Sequence, residues 1–282
     1  MIKLEQNTKE WLDFRKDKIG ASDAPIIMGV SPWKTAYQLW QEKLSISTPQ
    51  EESFAMRRGK AMEEEARQYA SRYLNTSFCP EVLLHKNYDW MIASLDGINR
   101  DKNVILEIKC PGKEDHRDAL AGIVPFKYYP QLQHQMHVSE SSKCYYLSYT
   151  QDSPTVIEVN YDVDYVENMI NEELKFLMCL RDLNPPELSD KDYLVREDLE
   201  WKSMCEEYDR LCKELEEIEL RKEETKKRLI DSCNNIPTKG CGLFVKKIIR
   251  AGVVDYKKIP ELKNVDLNAY RKKPTQYWSI SK

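Results

Sequence analysis

The sequence predicts an α/β fold (α+β in layout), with a mixed central sheet flanked by helices and a C-terminal extension of a helix plus a β-hairpin. Three observations carry that prediction. Short apolar runs at Val82-Leu83-Leu84-His85, Trp90-Met91-Ile92-Ala93 and Val104–Ile108 alternate with longer segments of helical periodicity. Apolar residues make up 41% of the 282 positions and aromatics 10%, enough for a folded core rather than a disordered chain. Asn184-Pro185-Pro186 then breaks the pattern, dividing the chain into residues 1–186 and 187–282.

Residues 5–17 read as a helix capped by Asn7 or Thr8, with Glu10 in the first turn. Gly20–Pro25 is a turn opening a second helix, with Ser22 or Asp23 as its cap. Ser31-Pro32 leads into a helix near Thr35–Leu44. After a polar loop, Met56–Leu74 is amphipathic, with Glu63, Ala66, Ala70 and Tyr73 near one stripe. The strands at 82–85 and 90–93 flank an Asn-Tyr-Asp turn. Asp96-Gly97 reads as a turn, and Val104–Ile108 as a strand inside a sheet, ended by Pro111-Gly112. Tyr129–Val138 is a helix with Pro130 near its start. Strands at 143–150 and 155–159 follow, then a helix at 163–180.

Beyond the break, Trp201, Met204, Tyr208, Leu211, Leu215 and Ile218 recur at spacings of three and four, the signature of a heptad helix. Lys222 interrupts the phase. Intramolecular packing of this stripe is favoured, because four heptads with that defect make a weak free-standing coiled coil. Residues 240–256 look like a hairpin turning at Ala251-Gly252.

Composition excludes several classes. No run of eighteen apolar residues exists, so a membrane span is not expected. The N-terminus lacks a signal-type apolar region, which places the protein in the cytoplasm, the host's if phage-encoded. Eight cysteines form no C-x-x-C pair, so no iron–sulfur cluster or structural zinc is expected. His134 and His137 read as surface or half-buried residues. Residues 239–282 hold eleven Lys/Arg against three Asp/Glu, a charge of +8 in a chain whose net charge is −4. Within this tail Lys246, Lys247, Arg250, Arg271, Lys272 and Lys273 are candidates for phosphate contact.

The residues that carry chemistry lie on the central strands. Glu107 and Lys109 point to one side of their strand, about 7 Å apart. With Asp96, they can hold a hard divalent cation through two carboxylates and the Ile108 backbone carbonyl. Lys109 can hold or help deprotonate a water and offset charge on phosphate. Glu63 adds a carboxylate on a core-facing stripe, where an unpaired charge is costly and so calls for a reason. Gln131, one turn into its helix, can orient the nucleophile or Lys109. Each element alone is weak: an E-x-K is often a cross-strand ion pair, and a D-G pair is usually a turn.

The ordered series Gly59-x-x-x-Glu63, Asp96-Gly97, Glu107-x-Lys109-Cys110-Pro111 and Tyr128-x-x-Gln131 is far more specific. With Trp11–Arg15, Ile19–Ala24, Pro32-Trp33 and Leu39-Trp40-x-x-Lys43, it resembles the YqaJ-type viral recombinase nucleases, a phage lambda exonuclease-like family within the PD-(D/E)XK fold. The resemblance covers roughly residues 8–150. Leu95 stands where the family usually has proline. The resemblance implies metal binding by Asp96 and Glu107, with Glu63 as a further ligand, catalysis by Lys109, and completion of the site by Gln131. Arg15 and Ser22 match positions that grip a 5′-terminal phosphate.

The implied activity is a Mg²⁺-dependent (or Mn²⁺-dependent) exonuclease that degrades one strand of linear double-stranded DNA from the 5′ end, leaving 3′ overhangs for recombination. The implied partners are a homo-oligomeric, trimeric ring and a single-strand annealing protein. Two alternatives stand beside it. One is a structure- or sequence-specific endonuclease of the same fold, restriction-type or Cas4-like. The other is a non-catalytic scaffold that binds DNA ends.

Overall fold

The computed structural model describes residues 14–47, 53–248, 259–260 and 265. The helix expected at 5–17 lies almost wholly outside them. The chain divides after Tyr193 into two compact units.

The first unit is built on one six-stranded mixed sheet. Its strands are β1 (Ile19–Gly20), β2 (Phe78–Leu84), β3 (Met91–Asn99), β4 (Val104–Lys109), β5 (Lys143–Ser148) and β6 (Thr155–Asn160). The order is β1-β3-β4-β5-β6, with β2 also on β3. β1–β3 and β4–β5 are parallel and the remaining pairs antiparallel. β4 is apolar except at Glu107 and Lys109, as suits a strand with both faces covered. Ile105 packs with Leu95, Leu132, Met136 and Tyr146, while Leu106 packs on the other side with Ala66, Ala70, Phe78 and Leu147.

The helices of this unit are α1 (Ala24–Ile27), α2 (Ala36–Lys43), α3 (Phe54–Tyr73), α4 (Lys113–Leu120), α5 (Tyr129–Ser139) and α6 (Val163–Arg181). Thr35 caps α2 in a capping box with Gln38, and Asp162 caps α6 through the Tyr165 N–H. Neither Ser22 nor Asp23 gives α1 a side-chain cap. The Asp23 carboxylate instead turns back to the Gly20 N–H, 2.9 Å away, and to Lys43. α4 has no counterpart among the sequence expectations. Its eight residues carry only Ala119 to the core, so the apolar repeat that announces a helix is nearly missing.

Asp96-Gly97 is not a turn. It lies inside β3, which runs on to Asn99. Cys79 pairs with Ile98 and Glu81 with Leu95, so Asp96 and Gly97 together oppose the single residue Pro80. That is a β-bulge, a device that re-aims a side chain and is frequent beside active sites. Proline suits the position because it has no N–H to leave unpaired. Glycine is required because a Cβ on Gly97 would lie 2.8 Å from the Phe78 Cβ and 3.3 Å from the Leu106 Cβ. Gly97→Ala is expected to cost about 1–3 kcal/mol through this overpacking. A urea-denaturation midpoint equal to the parent's would refute that expectation.

His134 also departs from its reading. It is fully buried, with Nδ1 2.7 Å from Glu173 Oε1 and Nε2 3.1 Å from the Ile92 carbonyl. The Ile92 carbonyl only accepts, so Nε2 donates to it, and the Glu173 carboxyl group beside Nδ1 favours the doubly protonated ring. Burial pushes its pKa down, but Glu173 outweighs this and raises it. The pair fixes α5 against α6 and β3. His137 is half-buried, its Nδ1 2.8 Å from the Tyr161 hydroxyl.

The second unit holds α7 (Leu199–Ser232), capped by Asp198 through the Trp201 N–H. α7 buries none of its residues, and the heptad stripe from Trp201 to Ile218 stays 43–58% exposed. The intramolecular burial expected for that stripe is not found among the described residues. A short hairpin follows, β7 (Thr238–Gly240) and β8 (Leu243–Val245). It turns at Cys241-Gly242, both with positive φ, the two-residue geometry that matches strand twist. The turn expected at Ala251-Gly252 lies outside the described residues.

Candidate active site

The site forms where β3 and β4 part. β2 occupies one edge of β3 from Ile92 to Asn99, so β1 and β4 share the other. β4 pairs there only through Gly97↔Leu106 and Ile98↔Ile105. Beyond that point a side chain replaces the ladder: Asp96 Oδ2 accepts the Ile108 N–H at 2.8 Å. Two acids, Asp96 and Glu107, therefore meet at the fork.

Glu107 is the hub. It is almost fully buried and accepts three hydrogen bonds. Gln131 Nε2 donates to Oε1 at 2.6 Å, Lys109 Nζ donates to the same oxygen, and Gln135 Nε2 donates to Oε2 at 2.6 Å. A carboxylate offers about four lone-pair directions, so one stays free. Lys109 Nζ also donates to Gln131 Oε1 at 3.0 Å and lies 5.3 Å from the Tyr128 ring centroid. Its side chain is 23% exposed, so the ammonium reaches the mouth of the site while Glu107 stays beneath.

Electrostatics follow from this geometry. Burial raises the Asp96 carboxyl well above the ordinary carboxylate range, and the neighbouring Glu107 charge raises it further. Burial alone would lower Lys109, but Glu107 and then Asp96 outweigh it and hold the ammonium above its usual value. Lys109 is therefore a fixed cation and donor. Two acids crowded in a low-dielectric fork with one ammonium are short of positive charge, and a divalent cation fits that deficit. Among the described residues no group of three or more His, Cys, Asp or Glu side chains forms a metal cluster.

Glu63 is not the unpaired buried acid expected on α3. It is 34% exposed and forms an i,i+4 ion pair with Arg67. Arg67 supplies the link that sequence reasoning misses. Its Nε donates to the Asp96 carbonyl at 2.6 Å while its other nitrogens hold Glu63 and Glu64. Arg67 therefore ties α3 to the bulge. Gln135 is a second omission, although its spacing of one turn from Gln131 signals another amide on the same face of α5.

Arg15 and Ser22 meet as a separate group beside β1. Arg15 Nη2 donates to Ser22 Oγ at 3.3 Å and to Asp23 Oδ1 at 3.4 Å. Lys43 Nζ holds Asp23 from the other side at 2.8 Å and donates to the Lys18 carbonyl at 2.6 Å. Of the tail candidates, Lys246 and Lys247 are exposed on the second unit. Arg250, Arg271, Lys272 and Lys273 lie outside the described residues.

Residues 10–142 match the YqaJ-like viral recombinase domain. The match encloses Arg15, Ser22, Glu63, Arg67, Asp96, Glu107, Lys109, Gln131 and Gln135. The Bacillus subtilis (strain 168) protein YqaJ is 27% identical over 178 residues, 61% of this chain and 56% of that one. A mimivirus protein from Acanthamoeba polyphaga mimivirus is 27% identical over 158 residues, 51% of this chain and 29% of that one. The chain thus spans about half or less of the curated relatives it matches. In fold, the chain is similar to the alkaline exonuclease LHK-Exo from Laribacter hongkongensis. The TM-score is 0.55 at 24% identity, covering 62% of this chain and 94% of that one. LHK-Exo in complex with dAMP gives the same TM-score at 23% identity and the same coverage.

Proposed function

We propose that this protein is a divalent-metal-dependent DNA nuclease that digests one strand of linear duplex from a 5′ end. One observation carries the reading: Glu107, Lys109 and Gln131 form a closed hydrogen-bonded triangle beside the Asp96 bulge. The likeness to an alkaline exonuclease whose structure is known with dAMP supports it.

Asp96, Glu107 and the Ile108 carbonyl would hold the cation, Mg²⁺ in this reading. When bound, the ion lowers the pKa of a coordinated water and offsets phosphate charge. The chain's own groups do the rest. Gln131 holds Lys109 Nζ through its carbonyl and Glu107 through its amide, so the ammonium points one way. Lys109 donates to the oxygen on which negative charge grows, without reorganising at the moment of reaction. Gln135 keeps the Glu107 carboxylate from rotating. Arg67 holds the Asp96 backbone, and through it Glu63 stays near the site as a charge rather than a direct partner of either acid.

End selectivity would come from Arg15, whose planar fork suits phosphate oxygens, with Ser22 beside it. In this reading the products are 3′ overhangs passed to a single-strand annealing protein, and the protomers assemble as a ring. The exposed Lys246 and Lys247 of the second unit add salt-sensitive DNA affinity.

The test is digestion of linear duplex bearing 5′-phosphate, 5′-hydroxyl or hairpin-closed ends, with Mg²⁺ and with EDTA. Cutting of the phosphorylated ends should be fastest, closed ends should resist, and EDTA should abolish turnover. Equal cutting of closed circles would replace the end-directed reading with an endonuclease.

A further inference from the structure

We propose that Trp33, with Tyr128 and Lys127, forms a base-stacking platform at the mouth of the site, which takes the nucleobase of the nucleotide next to the scissile phosphate. The inference deepens the nuclease reading and rests on it for the identity of the ligand.

Trp33 is a large aromatic side chain left 64% exposed. It is nevertheless held in place. Its backbone N–H donates to Ser31 Oγ at 3.3 Å. Two residues on, Thr35 caps α2, and its hydroxyl donates to Asp192. The indole centroid is 6.3 Å from that of Tyr128, with the planes 31° apart. Lys127 Nζ bridges them, 5.0 Å from the Trp33 ring and 5.4 Å from the Tyr128 ring. Asp115 fixes both neighbours, accepting from the Tyr128 hydroxyl at 3.0 Å and pairing with Lys127 at 2.8 Å.

The position gives the platform its ligand. Tyr128 is the ring that carries Lys109 Nζ at 5.3 Å on one side and adjoins Trp33 on another. A phosphate seated at Lys109 therefore has an exposed indole one ring away, across Tyr128. Lys127 adds a cation for the flanking phosphate. Aromatic faces plus cations in a groove are the equipment with which proteins bind unpaired bases without reading sequence. None of these residues is needed to hold Glu107 or Asp96, so the platform contributes binding and position rather than chemistry.

The test is a cycle of protein variant against substrate lesion. Trp33→Ala, Trp33→Phe and the parent are compared on a short 5′-phosphorylated oligonucleotide. Binding is read by anisotropy in Ca²⁺, and turnover in Mg²⁺. The same strand with an abasic terminal nucleotide is the second substrate. Trp33→Ala should weaken binding of the intact strand about five- to hundredfold, the range for losing one base–aromatic stack, with the loss mainly in KM. Trp33→Phe should keep most of the affinity. The parent should bind the abasic strand as weakly as Trp33→Ala binds the intact one, and Trp33→Ala should not distinguish the two. Equal binding of both strands by the parent overturns the platform, whether or not the variants fold. A protein that shows the binding cycle but no metal-dependent cleavage keeps the platform and sinks the nuclease reading.

Discussion

Lys109→Ala should reduce metal-dependent turnover on linear duplex by about 10²–10³-fold, the typical loss of one preorganised donor at developing charge. The geometry says why the loss is catalytic more than structural. Lys109 sits at the mouth of the site, and its removal leaves Glu107 with both amide donors, Gln131 and Gln135. Water reaches the ammonium's place at the mouth, and both amides still donate to Glu107, so the destabilisation should stay near about 1.5–3 kcal/mol. DNA binding at low salt should survive, because Lys127, Arg15 and the exposed lysines of the second unit remain. Lys109→Arg should recover little. The compact ammonium fits a triangle with Glu107 and Gln131, and the larger planar guanidinium presents its donors in a fixed fork that does not reproduce that geometry. The measurements are single-turnover cleavage, a thermal melt and duplex binding in Ca²⁺. A Lys109→Ala protein with parental turnover would return the chain to the scaffold reading, in which the ammonium is only one half of an ion pair.

The core of this site is legible in the sequence because it lies on a strand. Glu107 and Lys109 stand two apart in an apolar run, and the alternation of strand faces by itself makes them neighbours. Gln131 is legible for a similar reason, through its place in the first turn of a helix that begins with Pro130. Asp96 is found by type and misplaced by conformation. An Asp-Gly pair is most often a turn, and what makes it a bulge is Pro80 on another strand, which no local reading of residues 94–99 can see. Glu63 reads as a buried charge in need of a metal because its ion pair is long-range in consequence. Arg67 lies four residues away, but its guanidinium matters through the Asp96 carbonyl. Fully buried His134 reads as a surface or half-buried residue, since its partner Glu173 is thirty-nine positions distant. α4 escapes because a helix that lies on the surface with one buried residue has no periodicity to show. The pattern is consistent: features set by one element's own period are visible, and features set by a partner strand or a distant countercharge are not.

Lys43→Met should be the most destabilising single change in the first unit, costing about 3–5 kcal/mol, the range for stranding one partner of a buried ion pair. Lys43 and Asp23 are each only 6% exposed and 2.8 Å apart. Burial by itself would raise the Asp23 carboxyl, but Lys43, then Arg15 and the Gly20 N–H, hold it down at about 2. The sign of the pH dependence follows. An aspartate whose folded pKa lies below its ordinary value of 3.8 adds stability that is present above about pH 4 and lost as pH falls toward 2. The depression corresponds to roughly 2 kcal/mol of that acid limb. In Lys43→Met the limb should shrink, and adding Asp23→Asn should restore part of the lost stability by removing the stranded charge. Urea melts at pH 2.5, 4 and 7 read all three effects. A double variant less stable than Lys43→Met would show that the pair is not what Lys43 is there to satisfy. In the proposed function, where Arg15 grips a 5′-phosphate, the same change bears on end preference. Arg15 reaches Asp23 at only 3.4 Å while Lys43 carries most of that charge. Without Lys43, Asp23 competes for the Arg15 guanidinium and draws it from Ser22. A folded Lys43→Met protein should therefore lose its preference for 5′-phosphate over 5′-hydroxyl ends before it loses cleavage itself, since Asp96, Glu107 and Lys109 are untouched. Retained discrimination in that variant would place the phosphate grip elsewhere than Arg15.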